Sequence, residues 1–331
     1  MKICVTGGAG MIGSNIVKNL VEDQHEVKVI DNLWRGKLEN LEVDGKELIS
    51  LKKDFFKIDL NNPANITEVE NIIQDVDVVI HLADIVAGIG YVFNKQYEIF
   101  TLNNSINTNL FRAVSKSKIK KLIYVGTACS FPLELQNGLE AQLNDEDLFP
   151  ANPESAYGWS KLIGQLELRY LVETVGFEIN TLILHNVYGP NCEYEGERTQ
   201  VIPSLINRVI ESQDGDTIDV WGSGTQGRAF VHVNDVVNAI NSAMHKTNLP
   251  EYMQIGPNYC TSIKELVETL IKISGKNLQI HFDTTKPEGD KGRFANYQIA
   301  KETIGWEPQV DLYNGLKETY EWIEKQKTLN H

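Results

Sequence analysis

Cysteine is scarce in this sequence, and its four cysteines follow no motif. Cys4, Cys129, Cys192 and Cys260 form no CxxC pair and no regularly spaced set. Zinc sites and disulfide frameworks both depend on such spacing, so we expect neither. The histidines show no HxxE or HxxxH pattern either, and we predict no metal. Unpaired thiols are typical of a reducing compartment, which predicts a cytoplasmic location.

Long hydrophobic runs and an excess of positive charge are also missing. No segment approaches about 18 uninterrupted apolar residues, and the first strand is not preceded by the basic region of a signal peptide. We therefore expect neither a membrane segment nor an export signal. The 31 basic and 45 acidic residues give a formal charge of -14, which repels a phosphate backbone and argues against nucleic acid as a partner.

Short β-rich runs alternate with helical patterns through the first half of the chain. The runs "KICVT", "EVKVID", "VDVVIHLA" and "KKLIYVGT" are separated by stretches such as "MIGSNIVKNLVE" and "INTNLFRAVSKS". This alternation predicts an α/β fold with a doubly wound parallel sheet and helices on both faces. Prolines interrupt the second half, which favours a smaller domain set against the first.

A glycine-rich turn follows the first strand directly. In "TGGAGMIGS", Gly8, Gly10 and Gly13 satisfy GxGxxG, while Gly7, Gly10 and Gly13 satisfy GxxGxxG. Glycines let the backbone approach a pyrophosphate, whose charge would lie at the N-terminus of the helix that begins near Met11. An ordinary turn is the alternative, but a strand before the pattern and a helix after it favour a dinucleotide.

The second predicted strand ends in Asp31, close to the spacing expected of a ribose-binding carboxylate. Asp31 would accept hydrogen bonds from both ribose hydroxyls and repel the 2′-phosphate of NADP, so we predict NAD. Two alternatives stay open at this point. Asp31 could simply cap a loop, and the nearby Arg35 and Lys37 could compensate for a 2′-phosphate.

The stretch "SAYGWSK" sets Tyr157 and Lys161 four residues apart at the predicted start of a helix. Positions i and i+4 share a helix face, so the ammonium should lie near the phenol, although most such pairs are surface contacts. A free phenol has a pKa of about 10 and is a poor base at neutral pH, but nearby positive charge favours the phenolate. We therefore expect a lowered pKa at Tyr157, which would take a hydroxyl proton while NAD accepts the hydride.

The chain resembles a known family over nearly its whole length. The motifs "TGGAGMIGS", "VIDN", "HLA", "YGWSK", "HNVYGP" and "RAFVHVNDVV" occur in the order found in extended short-chain dehydrogenase/reductases that act on nucleotide sugars, the NAD-dependent epimerase/dehydratase family. The resemblance implies a Rossmann domain in residues 1–186, to which 228–250 return. It implies a nucleotide-sugar-binding domain in 187–227 and 251–331, and a homodimer.

The same resemblance assigns roles by position. Tyr157 becomes the catalytic base, Lys161 its electrostatic partner and a ligand of the nicotinamide ribose, and Thr127 the hydroxyl that bonds the reacting sugar oxygen. The fragment "HLAD" departs from the commoner "HLAA", and the sequence gives no account of Asp84. Cofactor contacts are implied at Gly7, Gly10, Met11, Ile12, Gly13, Asp31, Asn32, Asp59, Leu60, Leu82, Ala83, Asn103, Tyr157 and Lys161.

Within the family, three stretches resemble enzymes of GDP-sugars with manno configuration, namely GDP-mannose 3,5-epimerase and GDP-fucose synthase. They are "VAGIG", "ACSFP" and "VWGSGTQGRAF". Arg228 and Arg293 would then clamp the diphosphate through forked guanidinium groups, and Trp221 would line the nucleotide site unless it only fills a packing position in a strand. Substrate contacts are implied at Gly88, Cys129, Asn186, Gln200, Val201, Trp221, Arg228 and Arg293.

One residue argues against epimerisation at C3 and C5. The relatives that catalyse it resemble one another in using a Cys and a Lys or His as two acid/base groups. Here Cys129 could serve as the first, but Gln200 stands at the position of the Lys or His, and its amide exchanges no proton at neutral pH. Arg198 or a slipped alignment could restore the missing group.

We therefore predict NAD-dependent oxidation at C4 of a GDP-manno-type hexose or heptose, by a dehydrogenase that releases the 4-keto sugar or an epimerase that reduces it again. A 3,5-epimerase or another 4-epimerase is the alternative. An NAD-binding regulatory or scaffold protein is a third possibility, which the retained Tyr157, Lys161 and Thr127 disfavour.

Overall fold

The computed structural model describes residues 1–286 and 288–329. Pro287 and residues 330–331 of the predicted smaller domain lie outside this part. The α-helices of the described residues are α1 (Met11–Glu22), α2 (Ile66–Ile73), α3 (Ile89–Asn94), α4 (Gln96–Ser115), α5 (Ala156–Val172), α6 (Val201–Glu211), α7 (Val233–His245), α8 (Ile263–Ser274), α9 (Gln298–Ile304) and α10 (Leu312–Leu329).

Parallel strands form a central sheet of seven. They are β1 (Lys2–Thr6), β2 (Glu26–Asp31), β3 (Phe55–Lys57), β4 (Val78–His81), β5 (Lys121–Thr127), β6 (Glu178–Leu184) and β7 (Tyr252–Ile255). Their spatial order is β3-β2-β1-β4-β5-β6-β7, which confirms the predicted doubly wound parallel sheet. The order reverses between β1 and β4, and ligands of such sheets bind outside the carboxyl ends of the strands at that point.

Helices bury both faces of this sheet. Residues of α1, α7 and α9 pack on one face, where Leu20 and Ile240 are fully buried, and residues of α2, α4 and α5 pack on the other, around Leu110 and Phe111. Strands covered on both faces contain continuous apolar runs, which explains why β4 and β5 show no alternation of polar and apolar residues.

A second core lies among α6, α8 and α10, which pack together around the strand Thr217–Trp221. One predicted boundary differs from the structure. The strand β7 pairs with β6 in the central sheet and α9 packs against it, although residues 251–331 were assigned to the smaller domain. The pairing partners are far apart in sequence, so the local pattern of "YMQI" carries no sign of this membership.

Short strand pairs complete the fold. The pairs are Glu42–Val43 with Lys46–Glu47, Asn137–Leu143 with Gly292–Ala295, Asn186–Tyr188 with Phe230–His232, Thr217–Trp221 with Gln279–Asp283, and Gly227–Arg228 with Thr261–Ser262.

In the part of the chain that the structure describes, no helix has the length and hydropathy needed to cross a bilayer. Across the same residues, no group of three or more His, Cys, Asp or Glu side chains is arranged to hold a metal ion.

Candidate active site

Two neighbouring cavities gather most of the predicted site residues. The first has a volume of about 330 Å³ and is lined by Gly7, Gly10, Met11, Ile12, Gly13, Asp31, Asn32, Asp59, Leu60, Leu82, Ala83, Thr127, Cys129, Tyr157, Asn186, Gln200, Arg228 and Arg293. The second, of about 360 Å³, shares Asn186, Gln200 and Arg228 with it and adds Gly88, Val201 and Trp221. Asn103 and Lys161 line neither cavity. Motifs that are widely separated in sequence therefore meet at the carboxyl edge of the sheet.

The glycine turn forms a cradle that side chains would fill. Gly7 has a φ of +70°, and a Cβ there would lie 2.8 Å from the Ala83 nitrogen. A Cβ on Gly13 would lie 2.1 Å from the Gly7 carbonyl oxygen. Gly10 precedes α1, so the N–H groups of the first turn, which have no partner within the helix, face the cavity. This arrangement fits the pyrophosphate of a dinucleotide.

Asp31 is held at the cavity wall by two backbone N–H groups. Its Oδ2 accepts a hydrogen bond from Ala9 N at 3.0 Å, and its Oδ1 accepts one from Leu33 N at 2.8 Å. Burial raises the pKa of Asp31, and the two N–H groups oppose that rise. The carboxylate therefore lies in a fixed orientation that suits the two hydroxyls of a ribose.

Arg35 and Lys37, which could have bound the 2′-phosphate of NADP, contact other groups of the protein. Arg35 donates to Glu193 Oε2 at 3.2 Å and to the Val86 carbonyl at 3.0 Å. The Lys37 Nζ lies 5.7 Å from the centroid of the Tyr194 ring. Since neither cation is directed at Asp31, this edge of the cavity suits the uncharged 2′-hydroxyl of NAD.

Tyr157 and Lys161 meet at a third residue, Asp84. The Tyr157 hydroxyl donates to Asp84 Oδ2 at 3.3 Å, and Lys161 Nζ lies 3.3 Å from the same oxygen. The Ser155 side chain accepts a hydrogen bond from Gly158 N at 3.4 Å and caps the N-terminus of α5. Tyr157 and Lys161 are four residues apart, so their side chains project from the same face of the first two turns of this helix. The Lys161 side chain is only 2% exposed and lies over the Tyr124 ring, 4.5 Å from its centroid.

The predicted lowering of the Tyr157 pKa is not what the structure shows. Burial raises the pKa of Tyr157 well above its usual value, and the Asp84 carboxylate raises it further. Burial alone would lower the pKa of Lys161, but Tyr124 and Asp84 outweigh burial and raise it. The main reason for the rise at Tyr157 is burial, which disfavours the charged phenolate, and the adjacent Asp84 carboxylate adds to it. In the sequence, the only sign of this interaction was "HLAD", which places the Asp84 carboxylate three residues after the end of β4.

Thr127 is the last residue of β5, and Cys129 lies in the short turn that follows it. The Thr127 Oγ1 accepts a hydrogen bond from Cys129 N at 3.2 Å, which fixes the short turn that carries the thiol. Arg293 Nη2 lies 3.3 Å from Cys129 Sγ. Thr127, Cys129 and Tyr157 therefore line one cavity with the glycine turn, and an arginine from the second half of the chain lies beside them.

Asp290 joins the two arginines that were predicted to clamp a diphosphate. Arg228 Nη1 lies 3.0 Å from Asp290 Oδ1, and Arg293 Nη1 lies 2.5 Å from Asp290 Oδ2. Arg293 Nε has no hydrogen-bond partner among the described residues, so the guanidinium keeps a donor that Asp290 does not use. Sequence reasoning missed Asp290 and also Glu154, a cavity residue whose pKa is raised by burial and by Asp290. Neither residue stands in a recognisable motif.

Arg198, which the sequence offered as a replacement for the missing base, lines neither cavity. Arg198 donates to Glu193 Oε1 at 2.7 Å and lies over the Trp34 ring, 4.8 Å from its centroid. Gln200 lies at the start of α6 and lines both cavities. The Gln200 amide therefore lines both cavities at the position where the relatives have Lys or His.

The remaining predicted residues support the site from its edges. Asn103 holds the loop after β4, because it accepts from Ile85 N at 2.6 Å and donates to the Ile85 carbonyl at 3.2 Å. Gly88 packs closely on the segment before α6, since a Cβ there would lie 2.4 Å from the Thr199 oxygen. Trp221 is 40% exposed and lines the second cavity rather than a core position.

Comparison with known proteins gives one consistent family. The model described as "NAD dependent epimerase/dehydratase family" matches residues 3–256. The chain is 30% identical over 330 residues to GDP-mannose 3,5-epimerase of Arabidopsis thaliana, which covers 98% of this chain and 83% of that protein. It is also 30% identical over 322 residues to a putative UDP-glucose 4-epimerase of Methanocaldococcus jannaschii, covering 97% and 98%.

A solved structure agrees with these matches. The UDP-glucose 4-epimerase of Thermotoga maritima, crystallised with UDP-glucose, is 29% identical with a TM-score of 0.84 and covers 99% of this chain and 100% of its own. The resemblance stated from the motifs is thereby confirmed, and the relatives are named for both GDP-sugars and UDP-sugars. The chain belongs to the NAD dependent epimerase/dehydratase family and is an NAD-dependent enzyme.

Proposed function

We propose that this enzyme oxidises C4 of a GDP-linked hexose or heptose of manno configuration, with Tyr157 as the group that takes the hydroxyl proton. The observation that carries the proposal is that Tyr157 and Thr127 line one cavity with the glycine cradle at the start of α1. NAD, when bound, supplies the acceptor for the hydrogen and electron pair that leave the sugar carbon. The chain's own residues must hold the sugar hydroxyl and move its proton.

The residues around the cavity divide this work. Thr127 Oγ1 offers a hydrogen bond to the reacting sugar oxygen, and Tyr157 lies on the adjacent wall to exchange the proton. Arg228 and Arg293 both line the cavity, and Arg293 keeps an unused Nε donor, so the pair suits a diphosphate, which forked cations bind well. The side chains thus provide one proton-exchange centre and one anion-binding centre.

The choice of C4 alone rests on Gln200. Inversion at C3 and C5 requires protons to be removed and returned at two carbons, and an amide cannot do this at neutral pH. Arg198 offers no replacement, because it lines neither cavity and its guanidinium is paired with Glu193. The GDP-manno assignment is supported by the three matching stretches of sequence and by 30% identity to the Arabidopsis protein named GDP-mannose 3,5-epimerase.

A UDP-sugar 4-epimerase is the second candidate. It is favoured by the similarity of the whole chain to the Thermotoga maritima enzyme. Both candidates use the same chemistry at C4 and differ in the nucleotide of the substrate.

The test uses purified enzyme with NAD in deuterated water, supplied with GDP-mannose in one reaction and UDP-glucose in another. We expect turnover of GDP-mannose at C4, seen by NMR of the sugar, without deuterium uptake at both C3 and C5. Rapid uptake at both positions would show an intact double epimerase. Turnover of UDP-glucose alone would establish the second candidate.

A pair of variants tests the role of Tyr157. Tyr157→Phe should abolish turnover while leaving NAD affinity unchanged, because the change removes only the phenolic oxygen. Tyr313→Phe is the control, since Tyr313 lies on α10, away from both cavities, and is 41% exposed. Full turnover by Tyr157→Phe would move the proton transfer to another group.

We also propose that the enzyme acts as a homodimer, with the smaller domain binding the nucleotide-sugar. The exposed aromatic residues Tyr97 on α4 and Tyr170 on α5 support pairing through these helices. Light scattering of the purified protein measures the assembly directly, and a monomer at micromolar concentration would contradict it. A cytoplasmic location stays a prediction.

A further inference from the structure

A single carboxylate oxygen connects the predicted base to the buried lysine. Asp84 Oδ2 lies 3.3 Å from the Tyr157 hydroxyl and 3.3 Å from Lys161 Nζ. Asp84 itself lines the first cavity, and its side chain is 12% exposed. The phenol therefore already donates its proton towards an ionisable acceptor beside the reaction cavity.

A simpler role for Asp84 is to neutralise a buried ammonium. Lys161 requires a counter-charge, because removing one partner of a buried ion pair leaves an uncompensated charge. Charge neutralisation alone does not require Tyr157 to bind Asp84. The Tyr157 hydroxyl nevertheless binds Oδ2, the same Asp84 oxygen that contacts Lys161. The shared oxygen points to a function in proton movement as well as in charge balance.

We propose that Asp84 acts through Tyr157 as the final proton acceptor of the oxidation. This inference rests on the proposed function and deepens it. As the sugar O–H bond breaks, a new O–H bond forms on the Tyr157 oxygen. The former phenolic O–H bond breaks at the same time, and its proton binds the Asp84 carboxylate.

The step balances in atoms and charge. The C–H electron pair of the sugar leaves with the hydrogen to NAD, the C–O bond becomes a carbonyl, and the site keeps one proton on Asp84. That proton offsets the positive charge lost when the cofactor is reduced, so the buried cleft keeps its net charge. Reduction of the ketone reverses each bond change and returns the proton to the sugar.

The protonation of Tyr157 is consistent with such a relay. Burial and Asp84 raise the pKa of Tyr157 well above its usual value, so the phenol holds its proton at neutral pH. A protonated tyrosine cannot take a second proton, and it needs an acceptor for the first. Lys161 Nζ lies 3.3 Å from the same carboxylate oxygen and holds it in place beside the phenol.

The groups around Asp84 come from two strands and one helix. They are Tyr157 and Lys161 from α5, Tyr124 from β5, Cys129 after β5, which faces Tyr157, and His81 from β4, which faces Lys161. Burial lowers the pKa of His81 to about 3, so it stays neutral. Of these groups, Lys161 alone is cationic at neutral pH, and it sets the field at the carboxylate together with Tyr157.

The first experiment reads Tyr157 without any substrate. Protein labelled with ¹³C at the tyrosine ring carbon that bears oxygen is titrated with NAD bound, and Tyr157→Phe assigns the signal. We expect Asp84→Asn to lower the pKa of Tyr157, because the change removes the carboxylate that raises it. Asp75→Asn, a change at a surface carboxylate that pairs with Lys2 and Lys28, should leave the pKa unchanged. An unchanged Tyr157 pKa in Asp84→Asn would overturn the proposal.

The second experiment measures the pH profile of NAD reduction by GDP-mannose. Asp84→Asn should lower kcat about 10²-fold at neutral pH and recover activity as the pH rises, because Tyr157 must then lose its proton to solvent. Added formate should restore part of the activity of Asp84→Ala, and Asp84→Glu should retain the wild-type profile. An equal loss at every pH, with no rescue by formate, would reduce Asp84 to a structural counter-charge and overturn the relay.

The outcomes separate the two proposals. If Tyr157→Phe keeps its turnover, or the wild-type enzyme leaves GDP-mannose unchanged, the proposed function fails, and the tyrosine titration still decides the coupling of Tyr157 to Asp84. If Tyr157→Phe is inactive while Asp84→Asn matches the wild-type rate and pH profile, only the relay fails.

Discussion

Arg293 contacts Cys129 across the cavity, with Nη2 3.3 Å from Sγ. The two residues are 164 positions apart in sequence, one on the strand Gly292–Ala295 and the other just after β5. The strand pairs with Asn137–Leu143, so the second half of the chain is fixed against the wall that carries Thr127 and Cys129. The shape of the reaction cavity therefore depends on this junction.

Arg293→Lys should weaken GDP-mannose binding at least about tenfold, or about 1.4 kcal/mol. Lysine keeps the positive charge but has no forked guanidinium group. Arg293 can bind Asp290 through Nη1 and still offer Nε to a diphosphate, which a single ammonium cannot do. Calorimetric titration measures the affinity. Arg169→Lys is the control, because Arg169 is 38% exposed and pairs with Glu251 at the surface. Equal affinity in wild type and Arg293→Lys would contradict a diphosphate contact.

Gly13→Ala should lower NAD affinity about tenfold or more and reduce the thermal midpoint. The new Cβ would lie 2.1 Å from the Gly7 carbonyl oxygen, so the turn must open and its cradle must change shape. Gly176→Ala serves as the control, since no heavy atom lies within 4 Å of a Cβ at that position. Fluorescence titration with NAD and a thermal melt report the two effects, and normal NAD affinity would exclude the cradle as the pyrophosphate site.

Asp31→Asn should reduce the preference for NAD over NADP about tenfold or more, because the carboxylate charge that repels a 2′-phosphate is lost. An amide oxygen can replace only one of the two acceptors that bind Ala9 N and Leu33 N. We therefore also expect a loss of about 1–3 kcal/mol in the free energy of unfolding. The ratio of the two dissociation constants checks the first effect, and an unchanged ratio would place cofactor selection elsewhere.

Three buried histidines predict a loss of stability in acid. Burial lowers the pKa of His81 to about 3, of His185 to about 3 and of His232 to about 4. Histidine in an unfolded chain titrates at about 6.5, so the unfolded state binds more protons below that pH. The free energy of unfolding should therefore fall as the pH decreases from about 6.5 to about 4.

His232→Asn isolates one of these groups. The His232 Nδ1 caps α7 by accepting from Asn234 N at 3.4 Å, and asparagine is also a good N-cap. We expect the slope of the unfolding free energy between about pH 6.5 and pH 4 to decrease by about 1.4 kcal/mol per pH unit. Urea denaturation at several pH values measures the slope. The same slope in both proteins would show that His232 is not neutral in the folded state.

Local sequence determined the cofactor half of the site. The unit of β1, the glycine turn, α1 and Asp31 is contiguous, and its geometry follows from strand and helix periodicity and from the steric needs of glycine. Helical spacing likewise set Tyr157 and Lys161 on one face of α5. Such features depend on neighbours within a few residues, which is why motifs alone could predict them.

Only the tertiary structure decided the electrostatics of the site. Burial, together with Asp84 from 73 positions earlier in the chain, raises the pKa of Tyr157 where the sequence predicted a lowering. Asp290 joins two arginines that the sequence treated as separate. The membership of β7 in the central sheet was also settled by its pairing with β6. Electrostatic fields and strand pairing depend on distance through space rather than along the chain, so no local pattern contained them.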